Sequence, residues 1–412
     1  MHTAVKFSLT CSRCDWHGPD ADRARCPACN AILLVAYTDA TIPVDPTLPG
    51  LWRYAAHLPI NDLRHAVSLG EGNTPLVASA HLAPALGLGS LYFKLEGANP
   101  TGSYKDRIAA VGMARLLELG KRAWVATSSG NAGASMAAYG VRAGVEGHLF
   151  TLEKAARAKI AQIMAYGPHL RAVERLGYDP AVEVTTWANI AQVCRANHWQ
   201  MLVTAHAFSP HAMEGVKTLA YELAEQLAGR PCNVVYIPAG GGGLAVSVWR
   251  GLVEWHAAGK LVSLPRVVAV QPAGCDAIYQ AWQRGETQVT PIPTCASAIS
   301  GLQLTAPADG DLVLDMVAAS QGWIASVPDE ATYAAQARLA GREGLFVEPA
   351  SAITLAAVEA DLAAGRLAPG AHVACILTGS GFKDAAALQR MVEHVPLPMV
   401  RPDDILALAA ER

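Results

Sequence analysis

The sequence predicts an α/β fold, a parallel sheet with covering helices, preceded by a small cysteine-bearing module. Three observations carry this expectation. Apolar runs of strand length alternate with helix-length segments from about Leu91 to Leu377, the order that a parallel sheet with crossover helices requires. Glycines and small hydroxyl residues gather where strands turn into helices, at Ser128–Gly133, Gly240–Gly243 and Thr378–Gly381. Two Cys-x-x-Cys knuckles stand in the first 40 residues, apart from the rest.

The chain has 412 residues, enough for two or three domains with sizeable cores. It is 52% hydrophobic and 16% charged, the balance of a well-buried globular protein. A net charge of −3 gives no case for attraction to nucleic acid or to a membrane surface. Apolar runs such as Val234 to Pro238 are far shorter than the ~20 residues of a membrane span. Met1 to Lys6 lack a basic region followed by a long apolar stretch, so no signal peptide is expected. Nine cysteines, four of them tightly grouped, fit a reducing compartment and metal binding better than disulfides, and a cytoplasmic location is expected.

Cys11-Ser12-Arg13-Cys14 is followed, eleven residues later, by Cys26-Pro27-Ala28-Cys29. Cys11, Cys14, Cys26 and Cys29 can place four thiolates tetrahedrally around Zn²⁺, with Arg13, Arg23 and Arg25 offsetting charge. A structural zinc ribbon is expected. The competing readings are a ribbon without metal or a pair of reactive thiols. Four thiolates leave no open position, so no catalysis is assigned there. Cys194, Cys232, Cys275, Cys295 and Cys375 lie among apolar neighbours and read as buried core thiols.

Thr41 to Gly50 is a Pro-rich connector, and Ser68 to Leu76 a turn-rich entry segment. Leu91 to Leu95 is a strand. Asn99-Pro100-Thr101-Gly102-Ser103-Tyr104-Lys105-Asp106-Arg107 then leads into a helix from about Ile108 to Leu119, for which Thr101 or Ser103 can serve as cap. Lys105 is thereby held in the first helical turn, where the peptide dipoles disfavour a cation and burial lowers its pKa further. Such an amine suits Schiff-base chemistry with an aldehyde cofactor. The alternative is an ordinary surface lysine.

The following elements alternate. Strands are expected at Ala123–Thr127, His148–Leu152, Leu170–Arg175, Val234–Pro238, Arg266–Gln271 and His372–Leu377. Helices are expected after Ser128–Gly133 as far as Gly140, from the opening Gly240–Leu244 to about Ala257, and at Lys154–Tyr166, Thr185–His198, Pro328–Glu343 and Ser351–Ala364. No repeat of fixed period is present. Gly240-Gly241-Gly242-Gly243 opens a helix after an apolar strand, so backbone N–H groups can converge on a phosphate. The pattern is neither Gly-x-Gly-x-x-Gly nor a P-loop. Ser128-Ser129-Gly130-Asn131-Ala132-Gly133 can hold a carboxylate in the same way, with the Asn131 amide free for a phenolic oxygen, or can be a plain helix cap. Thr378 ends a strand where α/β sheets bind ligands, or stands in a connecting turn.

Together and in this order these motifs resemble the fold-type II pyridoxal-phosphate enzymes, and within them the threonine synthase-like group, over about Glu71 to Asp384. Asn99 to Arg107 is similar to the family's cofactor-lysine motif, with Tyr104 where Phe is usual. Ser128 to Gly133 resembles its substrate-carboxylate loop, Gly240 to Leu244 its cofactor-phosphate loop, and Glu348 to Ala352 and Leu377 to Asp384 its closing motifs.

The resemblance implies pyridoxal 5'-phosphate as cofactor and a small amino acid as substrate. It implies Lys105 as the Schiff-base lysine and the base at the substrate Cα. Asn131 would bond the cofactor's ring hydroxyl, and Thr378 its pyridine nitrogen. Gly240, Gly241, Gly242, Gly243 and Leu244 would hold its phosphate. Ser128, Ser129, Gly130, Asn131 and Ala132 would bind substrate. The neutral hydroxyl of Thr378 favours expulsion of a Cβ or Cγ leaving group over transamination.

It further implies a zinc ribbon at 1–40, a large cofactor-binding α/β domain at 41–111 and 206–412, a small inserted α/β substrate domain at 112–205, and a homodimer. The reaction implied is conversion of O-phosphohomoserine and water to threonine and phosphate. The alternative is a threonine/serine dehydratase-type ammonia-lyase. Ala212 stands where many threonine synthases have an Arg for the substrate phosphate, and Ala132 where many have Thr. Lys154, Arg157, Lys159 or His211 are the side chains expected to replace that charge if a phosphate is bound.

Overall fold

The computed structural model describes residues 6–402 and 405, apart from Tyr178. Residues 1–5, on which the expectation about a signal peptide rests, lie outside the described residues.

Strands β1 (Phe7–Cys11), β2 (His17–Pro19) and β3 (Leu33–Tyr37) form an antiparallel sheet in the order β2-β1-β3. β4 (Leu76–Ala78) and β5 (Ser90–Leu95) begin a second sheet. β6 (Ala123–Thr127), β7 (Glu146–Leu152), β8 (His169–Val173) and β9 (Gln200–Met201) build a separate four-stranded parallel sheet, in the order β8-β7-β6-β9. β10 (Val234–Pro238), β11 (Arg266–Pro272), β12 (Trp323–Val327) and β13 (His372–Leu377) complete the second sheet, whose order is β12-β11-β10-β13-β5-β4. Only the edge strand β4 runs antiparallel there; three residues after Pro75 are too few to show a period in sequence.

β10, β13 and β11 are buried along almost their whole length, as parallel strands covered on both faces must be. Helices Pro349–Ala363 and Gly243–Ala257 pack against this sheet, and Asn131–Ala143 against the small one. Among the described residues no helix is long and apolar enough to cross a membrane.

The patterning misses the helix Pro210–Gln226 and the strand β12. All of Pro210 to Ala224 is buried, so the helix has no wet face to produce a 3.6-residue period. Its polar groups are satisfied internally: Lys217 pairs with Glu214 at 2.6 Å and Glu254 at 2.8 Å, and Arg250 with Glu214 at 2.6 Å.

The cysteine module packs on the main α/β body through ion pairs. Asp20 meets Arg115 and, at 2.9 Å, His211, while Asp22 meets Lys121. His211 is therefore a buried partner of the module, which corrects its inclusion among the side chains expected to replace the charge missing at Ala212. The Sγ atoms of Cys11, Cys14, Cys26 and Cys29 all lie within 4.8 Å of one another. Four thiolates at 2.3 Å from a zinc ion are about 3.8 Å apart, and Cys14 and Cys26 are separated by 3.8 Å. Cys194, Cys275 and Cys375 are buried, whereas Cys232 and Cys295 sit on loops and are half-buried, a correction to the core reading.

Candidate active site

The helix Lys105–Glu118 begins at Lys105, three residues before the expected start, and runs unbroken through residues 111 and 112. Neither expected cap is used. Asp106, in the first turn, turns back to accept the Thr101 N–H at 2.7 Å and the Thr101 hydroxyl, and also the Ser135 hydroxyl at 2.6 Å. Ser103 is buried and its Oγ has no partner. The loop is thus closed by a carboxylate of the helix it precedes.

Arg107 anchors the same loop from below. It is fully buried and bidentate to two carboxylates, Glu96 (2.7 and 2.8 Å) and Glu222 (2.7 and 2.8 Å). Lys94 also donates to Glu222 at 2.8 Å, so two cations balance two anions. Burial opposes the charge on Glu222, yet Arg107 and Lys94 hold its carboxyl down at about 2.

Lys105 is half-buried, and its Nζ donates to Thr204 Oγ1 at 2.9 Å. Burial lowers its pKa to about 8, against the opposing pull of Glu348 and Asp309. The amine is therefore far easier to deprotonate than an ordinary lysine, as Schiff-base formation requires.

The other predicted loops meet around it. The Tyr104 N–H donates to the Thr378 carbonyl at 3.0 Å, and Ser103 bridges to Gly379. Asn131 Nδ2 donates to Glu348 Oε2 at 2.8 Å, and Thr378 Oγ1 to Glu348 Oε1 at 2.9 Å. Asn131 and Thr378 thus share one buried carboxyl, which burial pushes above the usual carboxylate range while both hydrogen bonds partly offset it. Ser351 Oγ stands 3.0 Å from the Thr378 hydroxyl and accepts the Gly379 N–H. A Cβ at Gly379 would lie 2.6 Å from Glu348 Oε1, so only glycine admits this carboxyl.

Ser128 Oγ accepts the N–H of Gly130 at 3.2 Å and of Gly133 at 3.0 Å, which caps the helix Asn131–Ala143. The N–H groups of Ser129, Asn131 and Ala132 have no acceptor among the described residues. Lys159 is exposed, and its Cε lies 3.9 Å from where a Gly130 Cβ would stand. Lys154 and Arg157 are exposed on the approach to the helix Arg157–Tyr166. Ala212 is buried and faces Gly112, between the helices Pro210–Gln226 and Lys105–Glu118.

Gly240–Gly243 leads into the helix Gly243–Ala257, and the N–H groups from Gly240 to Ala245 likewise have no acceptor among the described residues. Gly242 takes φ +95°, and a Cβ at Gly243 would meet Met213 Cε at 2.7 Å. Free N–H donors, a glycine-lined helix start and an amine with a depressed pKa form a donor set that fits an aldehyde bearing a phosphate.

Three groups here were given no role from the sequence: Asp309 stands in no motif, while Glu348 and Lys383 stand in the closing motifs. Asp309 accepts the N–H groups of His206 (2.8 Å) and Ala207 (3.0 Å), faces His206 Nδ1 at 3.1 Å, and gives its own N–H to Gly241. It ties the Thr204 loop to the glycine loop across a separation of 103 residues. Glu348 stood in a quoted motif without a role. Lys383 donates to the Thr101 carbonyl at 3.0 Å and to Gln162 of the helix Arg157–Tyr166, which links both sheets' loops.

Comparison with known proteins agrees with this geometry. Residues 67–379 match the family model described as pyridoxal-phosphate dependent enzyme. A threonine synthase of Methanocaldococcus jannaschii is 34% identical, over 84% of this chain and 83% of its own length. One of Methanosarcina acetivorans is 32% identical, over 92% of each chain. Among solved structures, the processed form of threonine deaminase isoform 2 from Solanum lycopersicum superposes with a TM-score of 0.66, over 87% of this chain and 97% of that one. Maize serine racemase gives 0.65, over 78% and 92%. At 18% and 24% identity these two show the fold alone. The chain belongs to the fold-type II pyridoxal-phosphate dependent enzymes, in the threonine synthase-like family of lyases.

Proposed function

We propose that this chain converts O-phosphohomoserine and water to threonine and phosphate. The observation that carries the reading is the arrangement at Ser128–Gly133: free N–H groups for a carboxylate, with the uncommitted cation Lys159 beside them, facing the loops around Lys105. The identity to threonine synthases supports it.

Lys105 would hold the cofactor through its amine, Gly240–Gly243 and Leu244 its phosphate, Asn131 its ring oxygen and Thr378 its ring nitrogen. When bound, the cofactor supplies an electron sink for the bonds at the substrate Cα. The chain's own work is to bind, orient and move protons. The N–H groups of Ser129, Asn131 and Ala132 hold the substrate carboxylate at a helix start, where an anion is favoured. Lys105 moves the proton at Cα, and a pKa of about 8 lets it accept and return that proton near neutrality. Lys159 attracts the leaving phosphate. Residues 112–205 close as a small domain, with Lys383 and Gln162 as the latch, and exclude water until it is needed.

The decisive assay incubates the cofactor-loaded protein with O-phosphohomoserine and follows phosphate and threonine together. Equal amounts of both support the reading. The competing ammonia-lyase reading, favoured by Ala132 and by the buried Ala212, is distinguished by 2-oxo acid release from serine, threonine and related β-substituted amino acids. Release there without threonine formation replaces the first reading with the second. We propose further that Cys11, Cys14, Cys26 and Cys29 hold a structural Zn²⁺, that the chain works as a cytoplasmic homodimer, and that metal analysis and sedimentation will read one zinc per chain and two chains per particle.

A further inference from the structure

A cavity of about 510 Å³ opens between the cysteine module, the four-stranded sheet and the amino end of the helix Pro210–Gln226. Lys105, Asn131, Gly240–Gly243 and Thr378 are absent from its walls, so it is distinct from the reaction crevice. Its charge is one-sided: Arg23, Arg25, Arg115, Lys121 and Arg195 face a single acid, Asp22. Lys121 takes Asp22, and Arg115 takes Asp20 and Glu118. Among the described residues Arg23, Arg25 and Arg195 have no carboxylate partner. Arg115 is 7% exposed, yet its Nε–H has no acceptor.

The helix adds to this field. Ser209 makes no side-chain cap and Pro210 has no N–H, so the N–H groups of His211 and Ala212 are left at the cavity floor. Guanidinium groups and free helix N–H groups are the donors that bind phosphate.

We propose that this cavity is an effector site for a small phosphomonoester. The volume suits a sugar-phosphate-sized molecule. The wall from Ala207 to Ala212 continues the segment that holds Thr204 against Lys105 and His206 against Asp309. A ligand that pulls on this wall therefore acts on the amine and on the glycine loop at once.

The test titrates the cofactor-loaded protein calorimetrically with ribose 5-phosphate, inorganic phosphate and ribose. Both phosphates are expected to bind and ribose is not. The double variant Arg23→Ala/Arg195→Ala is expected to weaken binding at least tenfold, with circular dichroism and the cofactor absorbance unchanged. Lys159→Ala is expected to leave it intact. Saturating ribose 5-phosphate is expected to change the rate of cofactor release at least twofold in the parent and not in the double variant. No binding, ribose binding as well as its phosphate, or an unaltered release rate each overturn the proposal. So does binding lost in Lys159→Ala and kept in the double variant, which puts the phosphate at the reaction crevice. None of these readings depends on which reaction the enzyme performs.

Discussion

Lys105 and Arg107 are two residues apart on one helix and end in opposite electrostatic states. Arg107 donates to two carboxylates that match its charge, and Lys94 completes a neutral cluster in which nearly every polar group is satisfied. Lys105 is given one hydroxyl, Thr204, and the face of the Tyr104 ring at 4.6 Å, and among the described residues no carboxylate lies within ion-pair distance of it. Saturation makes the first cluster a rigid floor. Burial without a paired carboxylate makes the second amine easier to deprotonate, since a packed environment disfavours the cation. The same turn of helix thus supplies both support and chemistry.

The largest effect is expected at the reactive end. Lys105→Ala should lower turnover by roughly a thousandfold or more while the urea midpoint stays within error of the parent; a loss of folding instead would make Lys105 structural. Arg107→Met breaks the other end. It leaves Glu96 buried without its ion-pair partner and Glu222 with Lys94 alone, and should cost about 3–5 kcal/mol in urea unfolding. A small change there would mean the cluster is hydrated.

Acid titration of stability sharpens the same contrast. Glu222 is depressed to about 2, so its contribution is complete above the ordinary carboxylate range and is lost as pH falls through about 2. Unfolding curves should hold through pH 5 and weaken below about 4; Arg107→Met, which leaves Lys94 as the remaining partner of Glu222, should reduce that dependence. The smallest effect concerns Thr204. Capture of the cofactor by the apoprotein needs the neutral amine, so its rate should rise with pH to a plateau through a midpoint near 8. Thr204→Val removes an acceptor from the charged form and should move that midpoint down by less than about one unit. A parent midpoint near 10 contradicts the burial of Lys105.

Much of this site was legible because its parts are local. A glycine run before a helix, a Ser-rich turn before another and a lysine in a first turn each announce free N–H groups or a strained charge within a few residues. The helix Pro210–Gln226 was not legible, because burial on all sides erases the amphipathic period. The capping roles of Thr101 and Ser103 were misread because the Thr101 hydroxyl is spent as a donor to Asp106 and Ser103 Oγ meets no helix N–H among the described residues. His211 read as available to a substrate phosphate because its partner, Asp20, lies 191 residues away.

The order of motifs along the chain by itself determined the α/β class, the lysine-bearing helix start, the glycine loop and the four-cysteine module, since each rests on backbone preferences of neighbouring residues. Tertiary structure alone decided which side chains are starved of partners and which are satisfied. Asp309 joins two loops, Glu348 joins Asn131 to Thr378, and the arginines of the module face a helix start, all through contacts between distant segments. Hydrogen bonds and charges act over a few ångströms in space, and the folded chain sets those distances.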